Sequence, residues 1–166
     1  IPRRPPMDML DRKRKGLRLF VKRVFIMEDC EEILPEWLRF MVGVVDSEDL
    51  PLNVSREILQ QDRTTKLIRK QVVKHALALV EQLAKEGPIK EKGEDGEETE
   101  LDRFKVFWQH FGRIIKEGVH YEPSAREQIA GLLRYPTSTR DDHTSLLDYI
   151  GRMKAEGGAV GSAALF

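Results

Sequence analysis

The sequence predicts an α/β fold, because candidate strands near its start are followed by long amphipathic helices. Residues 17–26 are rich in Leu, Val, Phe and Ile, a composition that favours a strand. In residues 56–85 and 101–117, apolar side chains recur every three to four positions, which is typical of helices with one buried face. We therefore expect strands first and a mostly helical remainder.

Composition excludes several classes of function. The 166 residues include 28 basic and 28 acidic side chains, so no net charge attracts nucleic acid or an anionic membrane. No apolar run approaches the roughly 20 residues that span a bilayer, and no secretory signal pattern opens the chain. The single Cys30 excludes an internal disulfide, and a start at Ile1 rather than Met predicts a segment of a longer protein.

The first third predicts a loop, two strands and a short helix. Ile1–Gly16 carries three prolines and a basic run, Arg12–Lys15, for which a solvated loop is favoured over a nucleic-acid signal. The strand at Leu17–Ile26 becomes apolar on both faces near its end, which predicts entry into a buried sheet through a bulge. Glu31–Met41 is expected to be a short helix interrupted by Pro35. Val42–Val45 is expected to be a second, buried strand.

The middle of the chain predicts a long helical connector. A break near Asp62–Thr64 should divide a short helix from a longer one. Gly87–Glu100 is rich in glycine and charge, which predicts a mobile loop. The expected inward stripe of the long helix is Leu67, Ile68, Val72, Ala76, Val80 and Leu83.

Aromatic residues favour core packing in two places, with a binding role as the alternative for the first and an exposed client-binding face as the alternative for the second. Trp37 and Phe40 lie three apart and can share a face. The helix at Leu101–Glu117 gathers apolar side chains on one face. That face consists of Phe104, Phe107, Trp108, Phe111, Ile114 and Ile115.

The last third predicts two short helices and an edge strand. Ser124 and Glu127 form a capping-box pattern that should open the first helix. Arg134–Thr139 is a candidate strand, confined to an edge by its proline. Thr144 or Ser145 should cap the last helix. The side chains expected to point inward are Ile129, Leu132, Leu133, Leu146, Tyr149, Ile150 and Met153.

The segment 44–61, V-V-D-S-E-D-L-P-L-N-V-S-R-E-I-L-Q-Q, is the most informative part of the sequence. Pro51 stiffens the loop, and Asn53 or Ser55 can cap a helix that begins near Arg56. Arg56 and Gln60 then lie one helical turn apart on the same face. A guanidinium at such a junction suits phosphate recognition. On spacing alone, however, an ordinary solvated or ion-paired arginine is favoured.

The wording of this segment resembles the catalytic loop in the middle domain of the ninety-kilodalton heat-shock chaperone family, in particular its bacterial HtpG-like members. The resemblance continues upstream through L-R-L-F-V-K-R-V-F-I-M at 17–27 and L-P-E-W-L-R-F at 34–40. Downstream it includes F-W-Q-H-F-G-R-I-I-K-E-G at 107–118. It covers most of the chain in collinear order, until the Gly- and Ala-rich end after Lys154 departs from it.

The resemblance implies three subregions and three site residues. The subregions are 1–62, a partial larger α/β subdomain with the catalytic-type loop; 63–118, the helical connector with a mobile loop at 87–100; and 119–166, a smaller, mostly helical α/β subdomain with a divergent tail. In the family, the residue matching Arg56 reaches the γ-phosphate of ATP, and the residue matching Gln60 supports that site. The residue matching Phe25 docks the N-terminal nucleotide domain on the middle domain.

The resemblance also implies partners and a setting. The parent protein would be a cytoplasmic, homodimeric, ATP-driven chaperone that assists the folding of unfolded clients, with co-chaperones as further partners. ATP and Mg²⁺ would be bound by an N-terminal domain that this chain lacks. The fragment alone is expected to be a monomer without ATPase activity. The alternative is a non-catalytic module that binds clients or co-chaperones, in which Arg56 is dispensable.

Other chemistry is not supported by the sequence. No Walker-type phosphate loop occurs. The four histidines show no metal-binding spacing, so we expect no metal site. Cys30 lies among acidic residues whose charge should disfavour its thiolate, which argues against a nucleophilic role.

Overall fold

The computed structural model describes residues 16–92, 98–138 and 140–155. The predictions for the Arg12–Lys15 run, for most of the first loop and for the divergent tail fall largely outside these ranges. Within them, helices and strands are mixed, and the predicted α/β class is confirmed. The division into 1–62, 63–118 and 119–166 stays a prediction.

The secondary structure of the described residues follows the chain in this order. The elements are β1 (Leu17–Val21), β2 (Val24–Met27), a 3₁₀ turn (Glu36–Leu38), β3 (Gly43–Ser47), α1 (Arg56–Gln61), α2 (Arg63–Glu86), β4 (Pro88–Lys92), β5 (Glu98–Asp102), α3 (Arg103–Tyr121), a second 3₁₀ turn (Pro123–Ala125), α4 (Arg126–Leu132), β6 (Tyr135–Thr137), β7 (Arg140–Thr144) and α5 (Leu146–Ala155).

The first sheet has the order β2-β1-β3, with β1 antiparallel to β2 and parallel to β3. The prediction of one continuous strand over Leu17–Ile26 is wrong, because the chain reverses at Lys22 and Arg23. Both residues have positive φ, 50° and 66°, as a two-residue type I′ hairpin turn requires. This turn usually contains Asn or Gly, so the sequence carried no signal for it.

Only one face of this sheet packs against the core. Leu17, Leu19 and Val21 are buried on the inner face of β1. Val42 and Val44 are 57% and 56% exposed, so the prediction of a buried strand at Val42–Val45 is wrong about burial. The strand itself exists, shifted slightly toward the C-terminus, and it pairs with β1.

The segment before β3 is mostly irregular. The helix expected over Glu31–Met41 is reduced to the single 3₁₀ turn at Glu36–Leu38. Pro35 is the physical reason, because it disfavours helical geometry in the residue before it and donates no hydrogen bond. Trp37 and Phe40 are both buried, which confirms their prediction as core anchors.

Helices α1 and α2 are separated at Asp62, which confirms the predicted break. Asp62 has an extended backbone, and its carboxylate accepts hydrogen bonds from the Thr65 N–H at 2.7 Å and the Thr65 hydroxyl at 3.2 Å. The predicted inward stripe of α2 is wrong at Leu67, which is 64% exposed. Val73 and Leu77 are buried instead, because the buried face is rotated toward α3 and α4.

The expectation of an irregular loop over Gly87–Glu100 is wrong for its two flanks. Strands β4 and β5 pair as an antiparallel hairpin, with Pro88 opposite Asp102 and Lys92 opposite Glu98. Residues 93–97 lie outside the described residues. The segment lacks an apolar face, so the hairpin depends on backbone pairing, a feature that a search for apolar periodicity does not detect.

Helix α3 carries the aromatic face into the core, as predicted. Phe104, Phe107, Trp108, Phe111 and Ile115 are buried. Phe107 and Phe111 also contact the ring of Phe40, with ring centroids 5.4 and 5.1 Å apart respectively. The core interpretation of this face is therefore correct.

A bidentate ion pair joins α3 to the segment around the first 3₁₀ turn. Arg39 Nη2 donates to Glu117 Oε1 at 2.7 Å, and Arg39 Nη1 donates to Glu117 Oε2. These charge-assisted hydrogen bonds raise the pKa of Arg39 above its ordinary value.

The predicted elements of the last third are present, with two corrections. Ile129, Leu132 and Leu133 are buried as expected. The capping box is wrong, because the Ser124 hydroxyl donates to Glu122 at 2.7 Å and no side chain caps α4.

The edge strand is confirmed as β6, and its antiparallel partner β7 was not predicted. Ser145 caps α5 by accepting from the Asp148 N–H at 3.0 Å, which confirms one of the two predicted caps. Leu146 and Ile150 are 41% and 46% exposed, so their predicted inward orientation is wrong.

Candidate functional site at the loop before α1

The loop between β3 and α1 is fixed at both ends by buried apolar side chains. Leu50 and Val54 are buried, whereas Leu52 between them is exposed. The Ser47 hydroxyl accepts a hydrogen bond from the Asp49 N–H at 3.3 Å where the loop begins. The loop is therefore anchored to the core while the side chains between its anchors face solvent.

Arg56 is the first residue of α1. The Ser55 hydroxyl accepts from the Ile58 N–H at 3.4 Å, so the helix starts where the sequence predicts. The Arg56 side chain is exposed, and its Nη2 donates to the backbone carbonyl of Glu28 at 3.3 Å. Among the described residues, no carboxylate lies within 4.0 Å of its guanidinium. Its positive charge is therefore held by a neutral acceptor and is not balanced by an ion pair with any residue that the structure describes.

Gln60 lies one turn further along the same face of α1. Its side chain is exposed, and within the described residues its amide has no hydrogen-bond partner. Positions four apart on a helix have Cβ atoms roughly 5–6 Å from each other. The structure thus places the two predicted loop residues together, both facing solvent.

Phe25 lies on β2, three residues before the carbonyl that holds Arg56. Its side chain is 51% exposed, and its ring packs edge-on against Phe20 with 5.6 Å between centroids. The hydrogen bond from Arg56 to Glu28 joins α1 to the end of the strand that carries Phe25. All three predicted site residues are accordingly accessible from outside.

The turn between β1 and β2 is fastened to the end of β3. The Arg23 N–H donates to Asp46 Oδ1 at 3.2 Å, and the Lys22 N–H donates to the Ser47 carbonyl at 3.1 Å. Asp46 is one of three acidic residues, with Glu48 and Asp49, in the segment that opens the loop. Asp46 therefore has a structural use, since its carboxylate holds the hairpin turn beside the loop.

Asp29 is a residue of this site that the sequence reasoning overlooked. It has a φ of 52°, and its Oδ1 accepts a hydrogen bond from the Gly16 N–H at 2.6 Å. Asp is enriched among non-glycine residues with positive φ, but this conformation is uncommon even for Asp. The only signal in the sequence was an Asp two residues after a strand, which is too weak to specify this geometry.

Cys30 follows Asp29 and is buried. Burial raises the pKa of its thiol to about 12, and the negative charge of Glu32, together with a hydrogen bond to it, adds to the rise. The predicted direction is confirmed, although burial contributes more than the neighbouring charge. This thiol is therefore protonated at neutral pH.

A shallow depression away from this loop has polar side chains in its lining and is the alternative candidate site. It lies where β5 and α3 meet, with Arg134 and His143 completing its wall. Its main polar groups already have partners: Asp102 caps the Lys105 N–H at 2.9 Å, and Arg134 bonds three backbone carbonyls and covers the Phe104 ring at 4.7 Å. These groups serve the packing of α3, and the loop before α1 remains the stronger candidate.

Two further classes of site are absent from the part of the chain that the structure describes. Those residues contain no group of His, Cys, Asp and Glu arranged to hold a metal ion. None of the helices in the same ranges is both long and apolar enough to cross a membrane.

Comparison with protein families gives one clear match. The family model described as "Hsp90 protein" matches residues 1–160. The "Chaperone protein HtpG" of Myxococcus xanthus is 48% identical over 154 residues, which are 93% of this chain and 22% of that protein. The protein of the same name from Nitrosomonas eutropha is 51% identical over 161 residues, or 94% of this chain and 24% of that protein. The chain thus spans less than a quarter of the length of these curated relatives.

A solved structure is similar to this chain in fold. The middle domain of a Plasmodium falciparum heat shock protein superposes with a TM-score of 0.70 at 28% sequence identity. The alignment covers 92% of this chain and 53% of that one.

Proposed function

This chain belongs to the Hsp90 protein family, and from that membership we propose that it is a middle-domain segment that supplies Arg56 to the γ-phosphate of ATP held by an N-terminal nucleotide domain. Charge develops on a phosphoryl group during transfer, and a cation delivered by a second domain stabilises it. Such delivery would couple the approach of the two domains to hydrolysis.

The observation that carries this proposal is the state of the Arg56 guanidinium. It has five N–H donors, one of which contacts the Glu28 carbonyl, and no carboxylate of the described residues balances its charge. A guanidinium held in an ion pair would have to break that pair before it could bind a phosphate oxygen. Among the described residues, Arg56 has no such ion pair to break.

Gln60 and Phe25 have supporting roles in the proposal. Gln60 presents an amide with no hydrogen-bond partner among the described residues, one turn from Arg56, where it can donate to the same phosphate or to the attacking water. Phe25 offers a half-exposed aromatic ring, a residue type enriched in protein interfaces. We assign it to the docking of the nucleotide domain.

The described residues fit only a part of an ATP site. Arg56 suits a phosphate oxygen, but the chain has no Walker-type loop, and its described residues contain no cluster suited to Mg²⁺. Binding of ATP and Mg²⁺ is therefore assigned to the nucleotide domain. This segment contributes a side chain to the reaction and does not hold the substrate.

The experiment is a measurement of ATP turnover by the isolated nucleotide domain of an HtpG protein, with and without this chain. We expect the chain to stimulate turnover, and Arg56→Ala to reduce the stimulated rate by at least about tenfold while nucleotide affinity stays unchanged. Arg63→Ala is the matched control, since Arg63 is also an exposed arginine at the first position of a helix, seven residues further on.

Three arginine variants make the result specific. Equal turnover in the wild type and Arg56→Ala would contradict the proposal, as would an equal loss in Arg63→Ala. Arg56→Lys should recover only a fraction of the rate, because an ammonium lacks the planar fork of the guanidinium.

A second candidate function is a binding module for unfolded clients or co-chaperones. It is favoured by the exposed apolar side chains of the sheet, the loop and α1. These are Val24, Phe25, Val42, Val44, Leu52 and Ile58. In an assay of client aggregation, Phe25→Ser with Val44→Ser should then weaken protection while Arg56→Ala leaves it unchanged. Protection that survives the double substitution would contradict this candidate.

The remaining expectations for the parent protein stay predictions. They are a homodimeric assembly, a cytoplasmic setting and partnership with co-chaperones.

A further inference from the structure

We infer that Asp29 is a positioning residue for Arg56, because its left-handed backbone and its hydrogen bond to Gly16 aim the Glu28 carbonyl at the guanidinium. The inference rests on the proposed role of Arg56 and adds to it the means by which the side chain is held. The juxtaposition consists of two hydrogen bonds, Gly16 to Asp29 and Arg56 to Glu28, joined by the peptide plane between Glu28 and Asp29.

The first contact fixes Asp29 itself. Its Oδ1 accepts from the Gly16 N–H at 2.6 Å, just before β1 begins. Its own carbonyl accepts from the Glu31 N–H at 3.0 Å, and the next residue, Cys30, donates its N–H to the Leu17 carbonyl at 3.4 Å. Asp29 is thus fastened to the start of the central strand by its own side chain and by the backbone N–H of the next residue, Cys30.

The second step concerns the peptide plane between Glu28 and Asp29. The φ angle of Asp29 sets the orientation of that plane relative to the fastened Asp29. A change from 52° to an ordinary value near −60° would rotate the plane by more than a right angle. The Glu28 carbonyl would then no longer point toward α1.

The last step is the hydrogen bond that this orientation of the Glu28 carbonyl permits. Arg56 Nη2 meets that carbonyl at 3.3 Å. Because the acceptor is a neutral carbonyl, it restrains the direction of the side chain without cancelling its charge. A carboxylate in the same place would hold the guanidinium more firmly but would compete with phosphate for it.

Three substitutions at Asp29 separate its contributions. Asp29→Asn keeps an oxygen acceptor and a residue that tolerates positive φ. Asp29→Gly keeps the backbone freedom but loses the acceptor. Asp29→Ala loses both. Gly16→Ala offers an independent perturbation, because its Cβ would lie 3.1 Å from Asp29 Oδ1 and the carboxylate would have to shift by a few tenths of an ångström.

The first measurement is nitrogen-15 NMR of the arginine side chains in this chain, with the Arg56 signal assigned by its loss in Arg56→Ala. We expect slowed guanidinium rotation for Arg56 in the wild type and Asp29→Asn. We expect faster rotation in Asp29→Gly, Gly16→Ala and, most of all, Asp29→Ala. Circular dichroism establishes that each variant is folded, and Asp29→Gly or Gly16→Ala replaces Asp29→Ala if that variant is not.

The second measurement is ATP turnover by an HtpG nucleotide domain mixed with each variant. The stimulated rate with Asp29→Ala should be about three- to tenfold lower than with Asp29→Asn. The KM for ATP should be the same for both variants. Glu127→Ala is the matched control, since it removes an exposed carboxylate on α4 that takes no part in these contacts, so its rate should equal that of the wild type.

The outcomes distinguish this inference from the proposed function. Arg56 rotation that is equal in all folded variants overturns the inference, whatever the turnover. A second result also overturns the inference. In it, Asp29→Ala speeds the rotation of Arg56 but keeps wild-type turnover, while Arg56→Ala abolishes stimulation. Faster rotation with no effect of Arg56→Ala on turnover overturns the proposed function alone, and the assignment of Asp29 as the residue that aims Arg56 stands.

Discussion

The sheet β2-β1-β3 and the helix α3 use their apolar residues differently. On α3 the aromatic side chains are buried against Phe40 and one another. On the sheet, Phe25 and Val44 are half-exposed although their residue types are equally apolar. Burial of an apolar side chain stabilises a fold, whereas an exposed one is available for contact with another surface. The helical side of the molecule therefore secures stability, and the sheet side presents the candidate site.

The largest test of this difference is a pair of identical substitutions. Phe111→Ala removes a fully buried ring from α3 and should lower the free energy of unfolding by about 3–5 kcal/mol. Phe25→Ala removes a half-exposed ring and should lower it by less than about 1 kcal/mol. Urea unfolding followed by circular dichroism measures both. Equal losses would show that the two regions do not differ in the way the burial indicates.

A second pair tests how closely the helical side is packed. A Cβ at Gly118 of α3 would lie 2.7 Å from the Trp37 ring and 3.0 Å from Ile129, so Gly118→Ala should destabilise the protein by about 1–3 kcal/mol. Gly131 of α4 has open space around it, and Gly131→Ala should stabilise by about 0.5–1 kcal/mol. The same unfolding experiment reports both, and a stabilising effect at Gly118 would contradict the close contact with Trp37.

The smallest expected effect concerns Cys30, a buried residue in the segment that follows β2. Because folding raises the pKa of this thiol from about 9 to about 12, the folded state binds its proton more firmly than the unfolded state does. The stability that this contributes is complete below pH 9 and is lost as the pH rises from about 9 toward 12. At pH 8, iodoacetamide should react at least about a hundredfold more slowly with the native protein than with the protein in urea.

The control for this prediction is Glu32→Gln. It removes the neighbouring charge but not the burial, so it should accelerate the native reaction only modestly. A native thiol that reacts as fast as the unfolded one would show that this end of the sheet is open to solvent.

The sequence predicted the helical side of the fold better than the sheet side, for physical reasons. The apolar periodicity of α3 is dense and local, so its buried face could be read from spacing. The hairpin turn at Lys22 and Arg23 depends on positive φ in residues that rarely adopt it, and β4–β5 depends on backbone pairing. Neither leaves a periodic signal.

The candidate site shows the same division. Arg56 and Gln60 could be placed by the Ser55 cap and the helical repeat. The Glu28 carbonyl and Asp29 could not, because they contact Arg56 and Gly16 through the fold and not through neighbouring positions in the sequence. Sequence reasoning could thus find the side chains of the site but not the backbone that holds them.

The ion pair between Arg39 and Glu117 also has a consequence for folding kinetics. Its partners are 78 residues apart, so it can form only after the first 3₁₀ turn has met α3. A contact that closes such a long loop is costly to form early. We expect it to be absent from the folding transition state, so that Glu117→Gln accelerates unfolding and leaves the folding rate nearly unchanged. The ion pair would then slow unfolding and so lengthen the lifetime of the folded state.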